Sequence, residues 1–178
     1  MKASVKVSLG GVVAALGLVL LLITSIIPFG TYAFPAFAGI LLVLLVFNLG
    51  YGYAFGVYAV TAVLAFLLVS DKEAALYYTI FLGYYPILKG LIERIRSRII
   101  QYIIKLALFN CCMIGAFYIG LTLLSVPEDS FRLFGVYLPW VFLLIGNGIF
   151  VLYDVCITRL VTIYRIKWHN RLNKNTKL

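Results

Sequence analysis

Long runs of apolar residues constrain this chain more than any other feature of its sequence. Most of these runs are roughly 17–25 residues long, which is the length of helix that crosses about 30 Å of hydrocarbon. The sequence is 64% hydrophobic, whereas soluble domains average about 45–50%. Inside a bilayer the backbone has to satisfy its own hydrogen bonds, and runs that are apolar on every side do so as helices. The sequence therefore predicts an all-α, polytopic integral membrane protein.

Six such runs are separated by glycine, proline or charged residues. They cover residues 7–27, 32–48, 53–69, 74–88, 102–124 and 134–157. We predict that residues 1–158 form one bundle of six transmembrane helices and that residues 159–178 form a basic cytoplasmic tail. The first run follows Lys2 and Lys6, as in a signal peptide, but its apolar core exceeds the usual length of about 7–15 residues. We therefore expect a retained helix.

The basic residues lie almost entirely on one side of this predicted topology. Thirteen of the fifteen Lys and Arg residues fall near the N-terminus, in the stretch from Lys89 to Lys105, or in the tail from Arg159. Lys72 and Arg132 fall on the other side, each near acidic residues. Because positively charged loops stay in the cytoplasm, the pattern predicts a multi-pass protein of the cell membrane with both termini cytoplasmic. The same placement explains the net charge of +9 without a nucleic-acid partner.

Residues 89–105, between the fourth and fifth runs, have the pattern of an amphipathic cytoplasmic helix. Arg94, Arg98, Gln101 and Lys105 recur at steps of four, three and four on one face, and aliphatic residues occupy another. Two interpretations stay open. The helix lies at the interface and binds membrane lipids through its charges, or Arg94 and Arg98 dock a partner protein. We expect the basic tail to bind anionic lipid.

The sequence carries no evident catalytic machinery. Its single histidine, His169, falls in the tail, and we find no paired-histidine motif, no glycine-rich phosphate loop and no serine beside a plausible base. Cys111, Cys112 and Cys156 lie in apolar runs without the spacing of metal ligands, and we interpret them as small buried residues. We therefore predict a protein that is not an enzyme and that uses no cofactor and no metal.

Asp154 is the one acidic residue within a predicted span. A lone charge is expensive in a membrane, so we expect a partner. Lys105 is the candidate partner, because it lies at the cytoplasmic end of the fifth span, which should neighbour the sixth span. We predict a structural ion pair, and a proton relay is the alternative.

Small residues form a face on the first span. Gly10 and Ala14 are four residues apart, as are Gly11 and Ala15. Such spacing lets another helix approach closely. The face either packs within the bundle or docks a partner protein.

Spans four to six carry aromatic and amide groups toward their outer ends. In an outward-opening cavity, these groups could bind a planar, mostly uncharged small molecule. The alternative is that the aromatic rings form an interfacial belt and that the two asparagines hold helices together. The candidate substrate-binding residues are Tyr77, Tyr78, Asn110, Tyr118, Tyr137, Trp140 and Asn147.

In its plan, the chain resembles the substrate-binding S component of energy-coupling factor vitamin transporters. The resemblance covers nearly the whole chain and rests on its length, the six spans, the cytoplasmic termini and the small-residue face of Gly10, Gly11, Ala14 and Ala15. In that family, an alanine-based motif at this place docks the transmembrane coupling subunit, although glycines hold two of the positions here. Residues 81–89 also look like a stretch found in small bacterial membrane proteins of this general kind.

The resemblance implies an importer subunit that binds a small vitamin-like molecule and works with a coupling subunit and a separate ATPase module. The outer halves of spans four to six lack the charged group that family members often place against the vitamin, which favours a neutral substrate. The six-helix plan also resembles the rod-shape membrane scaffold family, whose members bind partner proteins rather than vitamins. A membrane scaffold without a substrate is therefore the alternative.

Overall fold

The fold, taken from a computed structural model, is built from helices over nearly all of the residues that the structure describes. These residues are 3–27, 30–123, 132–133, 136–137 and 139–175. The helices are α1 (Ala3–Ile23), α2 (Ala33–Leu49), α3 (Tyr51–Leu68), α4 (Lys72–Tyr77), a π-helical turn (Tyr78–Leu82), α5 (Tyr85–Ile92), α6 (Arg98–Leu123) and α7 (Pro139–Asn175). Strands β1 (Arg132–Leu133) and β2 (Val136–Tyr137) pair antiparallel.

Four helices are long and apolar enough to cross a membrane. Their candidate spans are Ala3–Ile23, Tyr51–Leu68, Arg98–Gly120 and Trp140–Ile166. They expose large apolar side chains, such as Val12, Val63 and Leu144, on a scale that marks a membrane-facing surface. These features confirm the all-α class and indicate membrane association. Helix α2 is also apolar but has 17 residues.

The fourth predicted span is not one continuous helix. It divides into α4, the π-helical turn and α5. In the turn, the Gly83 amide donates to the Tyr78 carbonyl oxygen at 2.8 Å. The two residues are five positions apart, which is the hydrogen-bond spacing of a π-helix. Apolar composition predicts helix over this stretch, but it does not indicate that one turn contains a residue more than an α-helical turn. The interruption was therefore not predicted.

Two other predicted boundaries differ from the structure. The helix predicted over residues 89–105 is interrupted, because α5 ends at Ile92 and α6 begins at Arg98. Gln101 holds the intervening turn by donating to the Ile95 carbonyl oxygen at 2.7 Å. Helix α7 starts at Pro139, later than the predicted residue 134, and continues past residue 159 to Asn175. Helix α7 therefore continues through residue 159, where the tail was predicted to begin.

Local chemistry explains the sharp turns between helices. Gly50 separates α2 from α3 with φ of +91°, a conformation that side chains with a Cβ rarely adopt. Asp71 caps α4, because its carboxylate accepts from the Ala74 amide at 3.0 Å and from the Thr31 hydroxyl at 3.0 Å. Lys72 donates to the carbonyl oxygens that end α3.

Successive segments run in alternating directions. At one end of the bundle, Lys6 lies over the Tyr53 ring at 5.4 Å and Arg94 lies over the Tyr51 ring at 5.1 Å. Thr31 contacts Asp71 at the other end. We call the first end the basic end, because it also carries the α5–α6 turn with its arginines.

Buried residues form three apolar clusters. Two of them join α1, α2 and α3 to the fourth segment, around Leu21 and Leu42. The third joins the fourth segment to α6 and α7 through aromatic rings. A Cβ on Gly39 would clash with the Leu82 carbonyl oxygen, so α2 passes directly against the backbone of the interrupted segment.

Candidate functional site

Four charged side chains from three helices meet near the basic end. Lys89 lies in α5, Glu93 follows it, Lys105 lies in α6 and Asp154 lies in α7. Lys89, Lys105 and Asp154 are only 2%, 3% and 5% exposed. We call these four residues the inner charge cluster. It carries two positive and two negative groups, so its formal charges cancel.

Each charge in the cluster has an opposite partner. The Lys105 Nζ atom lies 3.1 Å from Asp154 Oδ2 and 2.9 Å from Glu93 Oε1. The Lys89 Nζ atom contacts Asp154 Oδ1 and lies 2.9 Å from Glu93 Oε1. Lys89 and Glu93 are four residues apart on one helical face. The structure thus brings together the predicted pair of Lys105 and Asp154, and adds a second lysine and a second acid that were not predicted.

Hydrogen bonds complete the surroundings of Asp154. The Tyr85 hydroxyl donates to Oδ1, and the Lys89 Nζ and Thr158 hydroxyl donate to the main-chain carbonyl oxygen. Buried charges are tolerated only when they are paired and hydrogen-bonded in this way. The cluster therefore fits a structural junction among α5, α6 and α7.

Glu93 connects the cluster to solvent, because its side chain is 37% exposed. Burial raises the pKa of the Glu93 carboxyl, but hydrogen bonds from Lys105 and Lys89 outweigh burial and lower that pKa below its ordinary value. The carboxylate thus stays charged at neutral pH and balances the two lysines.

Aromatic rings cover the cluster on the side away from the basic end. The Phe109 and Phe150 rings stack at 4.7 Å with planes 11° apart. Phe81 stacks on Tyr85 at 4.7 Å and meets Phe109 edge-on at 5.3 Å. We call Phe81, Tyr85, Phe109 and Phe150 the aromatic layer. It separates the charges from the polar groups farther along the bundle.

Asn110 and Asn147 form a closed pair beyond the aromatic layer. Each side-chain amide donates to the carbonyl oxygen of the other at 2.9 Å. Each also donates to its own helix, to Leu106 and Leu143 respectively, at 2.8 Å. Both amide groups are therefore used in joining α6 to α7, the role that the alternative interpretation gave them.

The other predicted substrate-binding residues do not gather around one cavity in the described part of the chain. Tyr78 is 1% exposed within an apolar cluster, whereas Trp140 and Tyr118 are 72% and 62% exposed. Tyr77 packs against Tyr32 with ring centroids 4.9 Å apart. Tyr137 lies in β2. The candidate residues were chosen by depth in the membrane, and those on helices lie on different helix faces.

Three tyrosines surround the interruption of the fourth segment. The Tyr58 ring lies 5.8 Å from Tyr78 and 5.7 Å from Tyr84, and its hydroxyl donates to the Thr79 carbonyl oxygen. The Tyr84 hydroxyl lies 3.1 Å from Cys112 Sγ. The buried Thr79 Oγ1 has no hydrogen-bond partner among the described residues. We call Tyr58, Tyr78 and Tyr84 the tyrosine cluster.

The small-residue face of α1 divides in two. Gly10 is buried, and a Cβ there would lie 3.2 Å from Val57 of α3. Gly11 and Ala15 are exposed, and a Cβ on Gly11 would meet nothing within 4 Å. Ala14 is half-buried between them. Gly10 thus packs internally, and the surface of Gly11 and Ala15 is open to another helix.

The predicted docking arginines lie at the ends of the α5–α6 turn. Arg94 and Arg98 are exposed, and Arg94 rests over the Tyr51 ring. The turn itself is held by Glu93 and Gln101. The arginines are therefore presented from a fixed turn rather than from one helical face.

Among the described residues, no group of three or more His, Cys, Asp or Glu side chains could hold a metal ion. Sequence reasoning missed Lys89, Glu93 and Tyr85, although the four-residue spacing of Lys89 and Glu93 was a usable signal. No family model, no curated protein and no solved structure matches the chain.

Proposed function

We propose that the chain crosses the cell membrane six times with both termini in the cytoplasm. Four helices are candidate spans, and α2 and the interrupted fourth segment run between them in alternating directions. In the six-span topology, thirteen of the fifteen basic residues fall on the side that contains the basic end, which the positive-inside rule assigns to the cytoplasm.

We further propose that the protein is the substrate-binding membrane subunit of an importer of the energy-coupling factor type. The observation that carries this proposal is the interruption of the fourth segment at Tyr78–Leu82. Discontinuous helices in transporters commonly form the substrate site, and single π-helical turns within helices frequently occur at functional sites. The tyrosine cluster and the unpartnered Thr79 hydroxyl lie at this interruption.

Charge balance favours a neutral substrate. The buried charged groups among the described residues, Lys89, Lys105 and Asp154, are paired with one another and with Glu93. No excess charge therefore remains in this part of the bundle to compensate a charged ligand. Tyrosine rings and hydroxyls suit a small molecule with an aromatic face and a few polar groups.

The surface of Gly11 and Ala15 supplies a contact for the coupling subunit. Both residues are exposed on α1, and small side chains let two helices approach closely in a membrane. The ATPase module would bind the coupling subunit and not this chain.

A second candidate function is a membrane scaffold that binds partner proteins and no substrate. One observation favours it: Asn110 and Asn147 satisfy each other, while Trp140 and Tyr118 point away from the bundle. In that case Gly11, Ala15, Arg94 and Arg98 would serve protein contacts alone.

A ligand titration tests the carrier proposal. Purified protein is titrated with a panel of neutral vitamins and nucleobases while its thermal unfolding is followed, since a ligand that binds the folded state raises the midpoint. We expect one compound to stabilise the protein and Tyr84→Phe to weaken its binding about tenfold through the loss of one hydrogen bond. Tyr118→Phe, which removes an exposed hydroxyl, is the matched control. A flat response across the panel favours the scaffold.

A further inference from the structure

The halves of α2 and α7 nearest the basic end enclose an apolar groove. Its walls are aliphatic side chains from both helices, and its volume is about 170 Å³. The α7 residues that line it follow helical steps of three and four and therefore share one face. The wall residues used below are Ile40, Leu41 and Leu44 of α2 and Ile157, Leu160 and Val161 of α7.

Two contacts between the helices bound the groove. At one end the Tyr153 hydroxyl donates to the Ala36 carbonyl oxygen at 3.2 Å. At the other, the Asn48 amide donates to the Tyr164 hydroxyl at 3.3 Å, and the Phe47 and Tyr164 rings lie 5.2 Å apart. Along α7 these contacts are about 16 Å apart at 1.5 Å per residue. One leaflet contributes about half of the 30 Å hydrocarbon thickness, so the stretch of α7 between the two contacts is about as long as one leaflet is deep. The groove lining, from Ile157 to Tyr164 on α7, lies within that stretch.

Arg165 places a positive charge just beyond the groove, toward the basic end. Arg165 follows the wall residue Val161 by four positions, which places it one turn farther along the same face of α7. Its side chain is exposed. An arginine guanidinium suits a phosphate group, because it offers two parallel N–H donors.

The chemistry and the depth of the groove indicate its occupant. The lining residues other than Tyr164 are all aliphatic, which suits a hydrocarbon chain. At this depth α7 is part of a candidate membrane span, so acyl chains are the groups that surround the groove.

We propose that the groove binds one acyl chain of an anionic phospholipid from the leaflet at the basic end, with the lipid phosphate at Arg165. The lipid fills the space that α2 and α7 leave between their two contacts. The inference concerns these two helices alone and does not depend on a transport function.

Native mass spectrometry of the full, delipidated chain tests this site. The protein is mixed with phosphatidylglycerol or with phosphatidylcholine of the same acyl composition at equal concentrations. We expect one phosphatidylglycerol per chain to be retained about tenfold more strongly than phosphatidylcholine. Arg165→Gln should abolish that preference, and Arg159→Gln, which removes an exposed charge from another face of α7, should keep it.

Variants that fill the groove complete the test. Leu44→Trp and Leu160→Trp add bulk at wall positions that are 37% and 47% exposed, and each should lose the retained lipid. Leu152→Trp, at a position 65% exposed elsewhere on α7, should retain it. If either filled variant unfolds, the other tests the site from the opposite helix.

Three results would overturn the proposal. The first is equal retention of the two lipids by the unchanged protein. The second is unchanged phosphatidylglycerol binding in both filled variants. The third is a protein dimer that Leu160→Trp disrupts in the absence of lipid, because that would make a second copy the occupant.

Discussion

Lys105 and Asp154 lie 49 positions apart in the sequence, yet the Lys105 Nζ atom is 3.1 Å from both carboxylate oxygens of Asp154. The contact joins α6 to α7. Lys89 and Glu93 extend it to α5, so three helices share one electrically neutral junction. The stability of the bundle at the basic end should therefore depend on keeping the charges balanced.

Breaking this junction should destabilise the protein. Asp154→Asn and Lys105→Gln each leave a buried charge uncompensated, which costs about 3–5 kcal/mol. The double variant should lose less than the sum of the two, because the residues interact directly. Thermal unfolding in detergent measures the effect, with Arg159→Gln as a control at an exposed charge. Strictly additive losses would show that the pair is not coupled.

Acid should weaken the same junction through Glu93. Its pKa is lower in the folded protein than its ordinary value of 4.5, so the charged form contributes stability that is present above about pH 4.5. That stability is lost as the pH falls through the lowered pKa. As the pH falls below about 4.5, the unfolding midpoint should decrease more steeply in the unchanged protein than in Glu93→Gln. Identical pH profiles would contradict the role given to Glu93.

The two parts of the small-residue face should respond differently to bulk. Gly10→Leu should destabilise the bundle, because even a Cβ at this position would lie 3.2 Å from Val57. Ala15→Leu lies on the exposed side and should leave the unfolding midpoint unchanged while weakening association with a membrane partner. Co-purification from native membranes, with thermal unfolding of the same samples, separates the effects. Equal destabilisation by both variants would make the whole face internal.

The length and apolarity of α1, α3, α6 and α7 could be read from the sequence, because any helix that crosses hydrocarbon needs about 20 apolar residues. The break at Gly50 could also be anticipated, because the glycines at positions 50 and 52 separate two apolar runs. The interruption at Tyr78–Leu82 could not, since Tyr, Thr, Ile, Phe and Leu fit an ordinary apolar helix equally well. In the structure, Tyr58 and α2 contact the backbone of this interruption.

Only part of the candidate site could be predicted, because only some of its charged residues lie inside an apolar run. Asp154 stood out because an acid within an apolar run needs a partner. Lys89 did not stand out, because at the end of a span it resembled an ordinary topological charge. The amides of Asn110 and Asn147 satisfy each other, so their depth alone could not distinguish a helix contact from a ligand contact.

Reporter fusions test the six-crossing topology. A fusion at Lys72, between α3 and α4, should report outside the cytoplasm, and a fusion at Arg96, in the α5–α6 turn, should report inside. The two positions lie before and after the interrupted segment, in which no single helix is long enough to cross the membrane. The same location for both fusions would mean that α4, the π-helical turn and α5 do not cross together.

Purification of the full chain from native membranes in mild detergent, followed by mass spectrometry of bound proteins and released small molecules, tests the carrier proposal most directly. We predict that an ATPase module with its coupling subunit co-purifies with the chain. We also predict that a neutral small molecule is released on denaturation and is depleted in Tyr84→Phe but not in Tyr118→Phe. A stable complex with other membrane proteins, without an ATPase and without a released small molecule, would contradict the carrier function and support the scaffold.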